Sequence, residues 1–494
     1  MGIYIKESIK NSKILGKVKK MIQLIPVIIK IYILYAFIFG VVIFAFYKHN
    51  VSNYRETHPV DRFWGKGLGQ DRVALVEDRY ESGLARINLI ENAQETIDIS
   101  YYTIEKGVSA DIFWGSIINA ADKGVKVRVL LDGIFHNLKD DMKDIIYVCY
   151  NHPNIQLKLY EPLNVFKPWT WNNRLHDKII IVDNELAMIG GRNIGDRYFT
   201  KEENGELVTN DRDVVILNTK KENISNSVIG EMKEYFNKTW NCKFSKLPLK
   251  RIRKGQKKKG EEKAKWLKNY ISKLKETEEE MFNHPFDWRE ISYPTNKVTL
   301  IHNPIERFNK EPWCWYDITN LGKAAEKSIF IQSPYIVPTN KMLKHINIKN
   351  DLPEKADILT NSLTTNPNLM GTAGTMLRRK DVVDAGINLY EYQGTESIHA
   401  KSYIFDERVS LVGSFNVDGR SAYLSTETMV VIDGEEFAEH FKEEIKNQID
   451  QSLMVGKDYS YIEDPNIEAK KPTVLKMIII KFLSILAYFF DFMI

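Results

Sequence analysis

Cysteine is scarce: Cys149, Cys242 and Cys314 are the only three in 494 residues, and they lie far apart. An odd, scattered set provides neither a disulfide framework nor the paired spacing of a zinc site. A strong charge imbalance is also missing, because a net charge of +4 over this length makes no electrostatic case for a nucleic-acid partner. The composition, 44% hydrophobic and 27% charged, lacks the polar bias of a disordered chain. What remains is a folded protein with room for about two or three domains.

The uncharged stretches that bear on a membrane lie near the two ends. Lys6, Lys10, Lys13, Lys17, Lys19 and Lys20 precede Ile31 to Tyr47, a run of 17 residues without a charge. Extended back to Met21 it admits only Lys30, close enough to the end to snorkel, and it then suffices to span about 30 Å of hydrocarbon. The following Lys-His-Asn-Val-Ser-Asn has no small-x-small cleavage site, which favours a retained transmembrane anchor over a signal peptide. Residues 1–50 are therefore expected to be a basic N-terminus and membrane anchor. The lysine excess before the span predicts a cytoplasmic N-terminus and the bulk of the chain on the outer side of the cell membrane. The tail at 470–494 is apolar but interrupted by Lys476, Lys481 and Asp491, a pattern suited to the membrane interface, with a buried helix as the alternative.

Between the ends the pattern alternates strands and helices. Thr96 to Ile104 is β-branched and aromatic, Ala110 to Lys123 has helical apolar spacing, and Val125 to Leu131 reads as the next strand. That alternation predicts an α/β layer structure. A second unit begins near Asn296, where Lys323 to Ser333 lines up with Glu91 to Tyr101 as helix end followed by strand. A duplicated domain, at 70–245 and 291–460, is the economical account. The Lys- and Arg-rich stretch from Lys246 to Lys268, within a basic linker or insert at 246–290, suits a solvated linker or helical insert, anionic lipid or, less well, nucleic acid. Asp433-Gly-Glu-Glu436 resembles a helix cap, followed by an apolar stripe at Phe437, Phe441, Ile445 and Ile449.

The strongest signal is a pattern that occurs twice. His176, Lys178 and Asp183 are followed by Gly190, Gly191 and Asn193; His399, Lys401 and Asp406 are followed by Gly413, Ser414 and Asn416. Strand alternation puts His176 and Lys178 on one face, where both can reach an anion, ahead of a buried strand at Ile179 to Val182. Asp183 falls on the other side of that alternation and suits a structural hydrogen-bond acceptor. Two lysines and two asparagines, the last being Asn193 and Asn416, would hold the non-bridging oxygens of a phosphodiester without a metal. One imidazole would attack phosphorus while the other protonates the leaving alcohol. His136, His152, His284, His302, His345 and His440 have no such context and read as packed or surface residues. The His176-Asp177 pair lacks the further spaced ligands of a metal site.

The doubled H-x-K-x4-D pattern resembles that of the phospholipase D superfamily, over most of the chain after about residue 70. Gly190 to Asp196 and Gly413 to Ser421 are similar to its bacterial cardiolipin synthase branch. The resemblance implies two phospholipase D-type domains packed as a pseudo-two-fold pair. It implies a catalytic set of His176, Lys178, Asp183, His399, Lys401 and Asp406, with His176 as nucleophile and His399 as general acid. Downstream acids would orient the histidines: Asp213, with Asp211 as its alternative, and Glu427. No cofactor and no metal is implied. The expected activity is phosphatidyl transfer from a phospholipid to phosphatidylglycerol through a phosphohistidine, giving cardiolipin. Hydrolysis to phosphatidic acid and a nuclease-like or nucleic-acid-binding role are the alternatives.

Overall fold

The structure, a computed structural model, describes residues 24–200, 208–347 and 351–494. The lysines at positions 6 to 20 lie outside the described residues. The first half carries β1 (Asp71–Val76), β2 (Thr96–Tyr101), β3 (Lys126–Asp132), β4 (Ile155–Tyr160), β5 (Lys178–Val182), β6 (Leu186–Gly190), β7 (Asp213–Asn218) and β8 (Ser245–Lys246). The second carries β9 (Lys297–His302), β10 (Ser328–Gln332), β11 (Lys355–Asn361), β12 (Asn388–Tyr392), β13 (Ser402–Phe405), β14 (Val409–Gly413), β15 (Thr428–Asp433) and β16 (Ser452–Met454). The sheets run β1-β7-β6-β5-β2-β3-β4-β8 and β9-β15-β14-β13-β10-β11-β12-β16, so every strand has its counterpart in the same place. Only a short edge strand, Tyr293–Pro294, adds to the first sheet beside β1. The chain is thus a duplicated mixed α/β fold.

The principal helices are α1 (Leu24–Phe46), α2 (Arg79–Glu91), α3 (Val108–Asp122), α4 (Asp144–Asn151), α5 (Val228–Asn241), α6 (Lys254–Thr277), α7 (Trp313–Ala324), α8 (Leu369–Asp384), α9 (Glu435–Ile449) and α10 (Val474–Phe489). Alternation along the strands feeds two different cores. Ile180 and Val182 of β5 join the cluster with α2, α3 and α4, whereas Ile179 and Ile181 join one that also takes residues of α5, α9 and the second sheet. This shared core, containing Val214 and Ile216 opposite Val430 and Ile432, presses the two halves together. A strand buried on both faces explains why β5 reads as an unbroken apolar run.

Several expectations change on contact with tertiary packing. The basic stretch after residue 246 contains α6, a helical insert that buries Gly260, Leu267 and Ile271. Lys263 pairs with Asp111, Lys268 with Asp122 and Lys275 with Glu91, so part of its charge is matched by the first half. Asp433 does not cap α9; Gly434 holds that position, and the Asp433 carboxylate instead accepts from Arg408 and from the Gly65 backbone. Phe437, Phe441 and Ile445 are buried as the stripe predicts. In the tail, α10 buries Ile480, Ser484 and Ala487 while Val474, Leu475, Phe482 and Tyr488 stay exposed. Among the described residues α1 is the one helix long and apolar enough to cross a membrane.

Candidate active site

Both signature strands begin at their lysine or just after it, and each histidine lies in the extended segment leading in. His176 is therefore not carried on β5 itself. It is positioned by a bridge to the other half: Leu175 pairs with Thr426, and the His176 amide donates to the Thr426 carbonyl at 3.2 Å. The second half repeats the arrangement, with Ile398 paired to Asn210 and the His399 amide donating to the Asn210 carbonyl at 2.7 Å. Each histidine is thus located by the opposite half.

The same crossing fixes the acids. His176 Nδ1 lies 2.9 Å from Glu427 Oε2, and His399 Nδ1 lies 2.5 Å from Asp211 Oδ2. Asp213, the expected partner, is a correction. Its carboxylate is fully buried and is taken by Ser82, Arg86 and Arg192, from which it accepts. The strand ladder shows why Asp211 is the counterpart of Glu427. Gly190 pairs with Asp213 and Gly413 with Met429, so both acids stand two residues before the partner of the signature glycine. Gly191 leaves room for this, because a Cβ there would sit 2.1 Å from Asp211 Oδ1.

Asp183 and Asp406 also leave the catalytic set. Asp183 accepts from the backbone amides of Gln94, Glu95 and Thr96 at 2.5 to 2.8 Å, and Asp406 from those of Glu326, Lys327 and Ser328 at 2.7 to 3.0 Å. They tie the far ends of β5 and β13 to the starts of β2 and β10, which is the structural role that strand parity suggested. Asp177 is likewise occupied, by Ser100, Tyr235 and Thr426.

Lys178 and Lys401 are both buried, and burial lowers them to about 7 and about 8. Their ammonium groups donate to the carbonyls of His176 and His399, which fixes their reach. Lys401 also acts electrostatically on His176, and Lys178 on His399, as expected of one shared site. Asn193 and Asn416 each donate to a tyrosine hydroxyl at 3.1 Å, Tyr198 and Tyr335 respectively, and each has a buried Oδ1 with no partner. A tyrosine hydroxyl can donate as well as accept, so turning either amide over frees an NH2 group for an anion. Tyr102 meets the His176 ring edge-on at 5.0 Å and Tyr198 meets His399 at 5.9 Å. Spacing alone does not identify these tyrosines, and it offers Asp211 only as the alternative to Asp213.

The carboxylates differ in charge state. Burial pushes Glu427 up to about 8 despite Lys178 and the hydroxyl of Ser414, which donates to it at 2.5 Å. Burial opposes charge on Asp211 too, but Lys401 and His399 outweigh it and hold that carboxyl well below the usual range. Both histidines are pushed down, His399 to about 3, by burial first and by the lysines second. Among the described residues no group of three His, Cys, Asp or Glu side chains is placed to hold a metal ion.

Two similar halves closing on paired His, Lys and Asn side chains define the phospholipase D class of fold. Residues 87–240 and 318–449 match the family model described as "Cardiolipin synthase, PLD-like domain", and the chain belongs to that family. It is 28% identical over 449 residues to "Cardiolipin synthase C" of Escherichia coli K12, covering 83% of this chain and 91% of the relative. An uncharacterised protein of Helicobacter pylori strain 26695 is 29% identical over 439 residues, with 80% and 84% covered. Among solved structures, phosphatidylserine synthase of Haemophilus influenzae superposes with a TM-score of 0.61 at 15% identity, over 90% of this chain and 99% of that one. At that identity the likeness speaks for the fold.

Proposed function

We propose that the chain is a membrane-anchored phosphatidyltransferase that makes cardiolipin, with phosphatidylglycerol as acceptor. The observation that carries this reading is the single site at which each half supplies a histidine, a lysine and an asparagine, with the acids exchanged between halves. Glu427 takes the Nδ1–H of His176 and leaves Nε2 as a lone pair for attack on phosphorus. The phosphatidyl group moves to His176, and the departing headgroup alcohol takes a proton from His399. A bound phosphodiester brings negative charge that opposes the two lysines, and ionised Asp211 balances the imidazolium. In the second step neutral His399 takes the proton of the acceptor hydroxyl, whose oxygen attacks phosphorus and releases His176. Lys178, Lys401 and the two asparagine amides hold the non-bridging oxygens throughout.

An apolar cavity of about 300 Å³ between α2 and α3 supports a lipid substrate. Ile194 and Phe199 line it, each next in the chain to a site residue, Asn193 and Tyr198. Incubating the purified protein with phosphatidylglycerol vesicles, with and without phosphatidylethanolamine, tests the reading. Cardiolipin is the expected product; phosphatidic acid alone would make the protein a hydrolase, and no turnover of any common donor would remove the proposal. The catalytic body is assigned to the outer side of the membrane from the charges flanking α1. Impermeant thiol reagents should label a surface cysteine there in intact cells; protection until permeabilisation reverses the orientation.

A further inference from the structure

Helix α1 is bolted to the catalytic body over half its length. Tyr32 and Tyr35 donate through their hydroxyls to the carbonyls of Val165 at 3.0 Å and Phe166 at 2.8 Å. Phe39 meets Trp169 edge-on at 6.2 Å, and Gly40 packs so near Pro168 that an added Cβ would stand 3.3 Å from its Cβ. At this contact the helix loosens into a π turn, Ile38–Val42, and the Asn172 amide donates to the Gly40 carbonyl. Such a turn disturbs the helical hydrogen-bond ladder, and a side-chain donor from a neighbour restores what is lost. Asn309 then donates to the carbonyls of Phe44 and Tyr47, each at 2.7 Å. Asn172 leads directly through Asn173, Arg174 and Leu175 to His176, so the depth of the helix sets the depth of the site.

The loop that makes these contacts turns apolar side chains outward: Leu163 is 58% exposed, Val165 46% and Phe166 77%. Phe135, also exposed, packs at 5.3 Å on Tyr102, the ring that meets His176. Tyr35 is the middle residue of Leu24–Phe46. At about 1.5 Å per residue that helix is about 35 Å long, against about 30 Å of hydrocarbon, so a loop bonded to its middle cannot stand clear of the bilayer. The loop is also chemically suited to lipid, where unpaired backbone groups are costly. Its Asn164 side chain accepts from the Phe166 amide at 3.0 Å, its Asn164 carbonyl accepts from Trp171 Nε1 at 2.9 Å, and the tyrosines of α1 take the next two carbonyls.

We propose that Leu163–Trp171 is a membrane-inserted rim, held at depth by α1, through which a phospholipid slides sideways from the leaflet to the His176 side of the site. The inference rests on the membrane-anchored reading above and extends it from a tether to a substrate entrance. A fluorophore sensitive to polarity is attached to Phe166→Cys in a Cys242→Ser background, Cys149 and Cys314 being buried. The same label on Lys258→Cys, on the exposed face of α6, is the reference. In phosphatidylglycerol vesicles carrying nitroxide on shallow acyl carbons, the label at 166 should shift to the blue, be quenched by the nitroxide and be shielded from aqueous iodide, unlike the label at 258. Equal iodide quenching at the two positions overturns the proposal. Replacing both Leu163 and Phe166 by Asp should cut turnover of vesicle lipid relative to monomeric short-chain lipid by about tenfold or more, since each side chain loses its apolar burial; an unchanged ratio also overturns it. The depth measurement needs no chemistry, so a rim that inserts in a protein making no cardiolipin would sink the functional reading and leave this one standing.

Discussion

The two halves are nearly superposable in topology and unlike in electrostatics. Each provides a histidine, a lysine and an asparagine at the same point of the same sheet, and each histidine leans on an acid from the other half. Yet the acid on His176 is held protonated near neutral pH, at about 8, while the acid on His399 is held ionised. The local cause is visible. Burial raises Glu427 and the opposing pull of Lys178 and Ser414 does not overcome it, whereas Lys401, His399 and Arg192 outweigh burial at Asp211. A neutral acid suits a histidine that must stay neutral to attack, and an ionised one suits a histidine that must carry a proton.

The largest effects come from the histidines themselves. His399→Ala should slow transfer from ordinary phospholipids by roughly 10²–10⁴-fold and much less from a donor with a nitrophenol-like leaving group, which needs no proton. Comparing the two donors in stopped-flow assays checks this; equal losses on both would erase the proposed division. Next come the acids. Asp211→Asn removes a charge and should lower kcat by roughly 10²–10³-fold, whereas Glu427→Gln imitates the protonated acid and should stay within about tenfold at pH 7. The reverse order would mean that the electrostatic contrast runs the other way.

Asp213 separates structure from catalysis. Asp213→Ala leaves Arg86 and Arg192 buried without their carboxylate and should cost about 3–5 kcal/mol of stability, read by denaturant unfolding. If it instead abolished turnover in a protein of undiminished stability, Asp213 would belong in the site after all. The remaining effect is on pH. Lys178 and Lys401 titrate at about 7 and about 8 because burial disfavours their charge, so they bind an anion best below those values. Inorganic phosphate should therefore bind more weakly as pH rises from 6 to 9, by about tenfold per unit for each lysine that has lost its proton. A flat calorimetric profile would show that the lysines stay charged throughout.

Local pattern made the elements legible and left the crossings dark. The run Ile179 to Val182 announced a buried strand, the doubled His-Lys-Asn set announced a shared site, and strand parity placed Asp183 off the chemistry. The acid partnering His399 stays open between Asp213 and Asp211 in the sequence. Its identity depends on the ladder that sets Gly190 opposite Asp213, and the differing loop lengths of the two halves hide the equivalence of Asp211 and Glu427. Asp433 carried a capping pattern, but Arg408 and the Gly65 amide compete for its carboxylate, a contact between segments that are remote in sequence. The basic stretch suits a solvated linker or a helical insert, and Leu267 and Ile271, sparse among lysines, do not decide between them in the sequence, although both end fully buried in α6.

The covalent step is the most direct test of the division between the halves. Protein mixed with phospholipid labelled in its phosphatidyl group is quenched in acid within milliseconds, and the label retained on the chain is mapped. The account predicts label on His176 in the wild type, none in His176→Ala, and accumulation on His176 in His399→Ala when the donor has a good leaving group. Label on His399, surviving at the wild-type rate in His176→Ala, would contradict it.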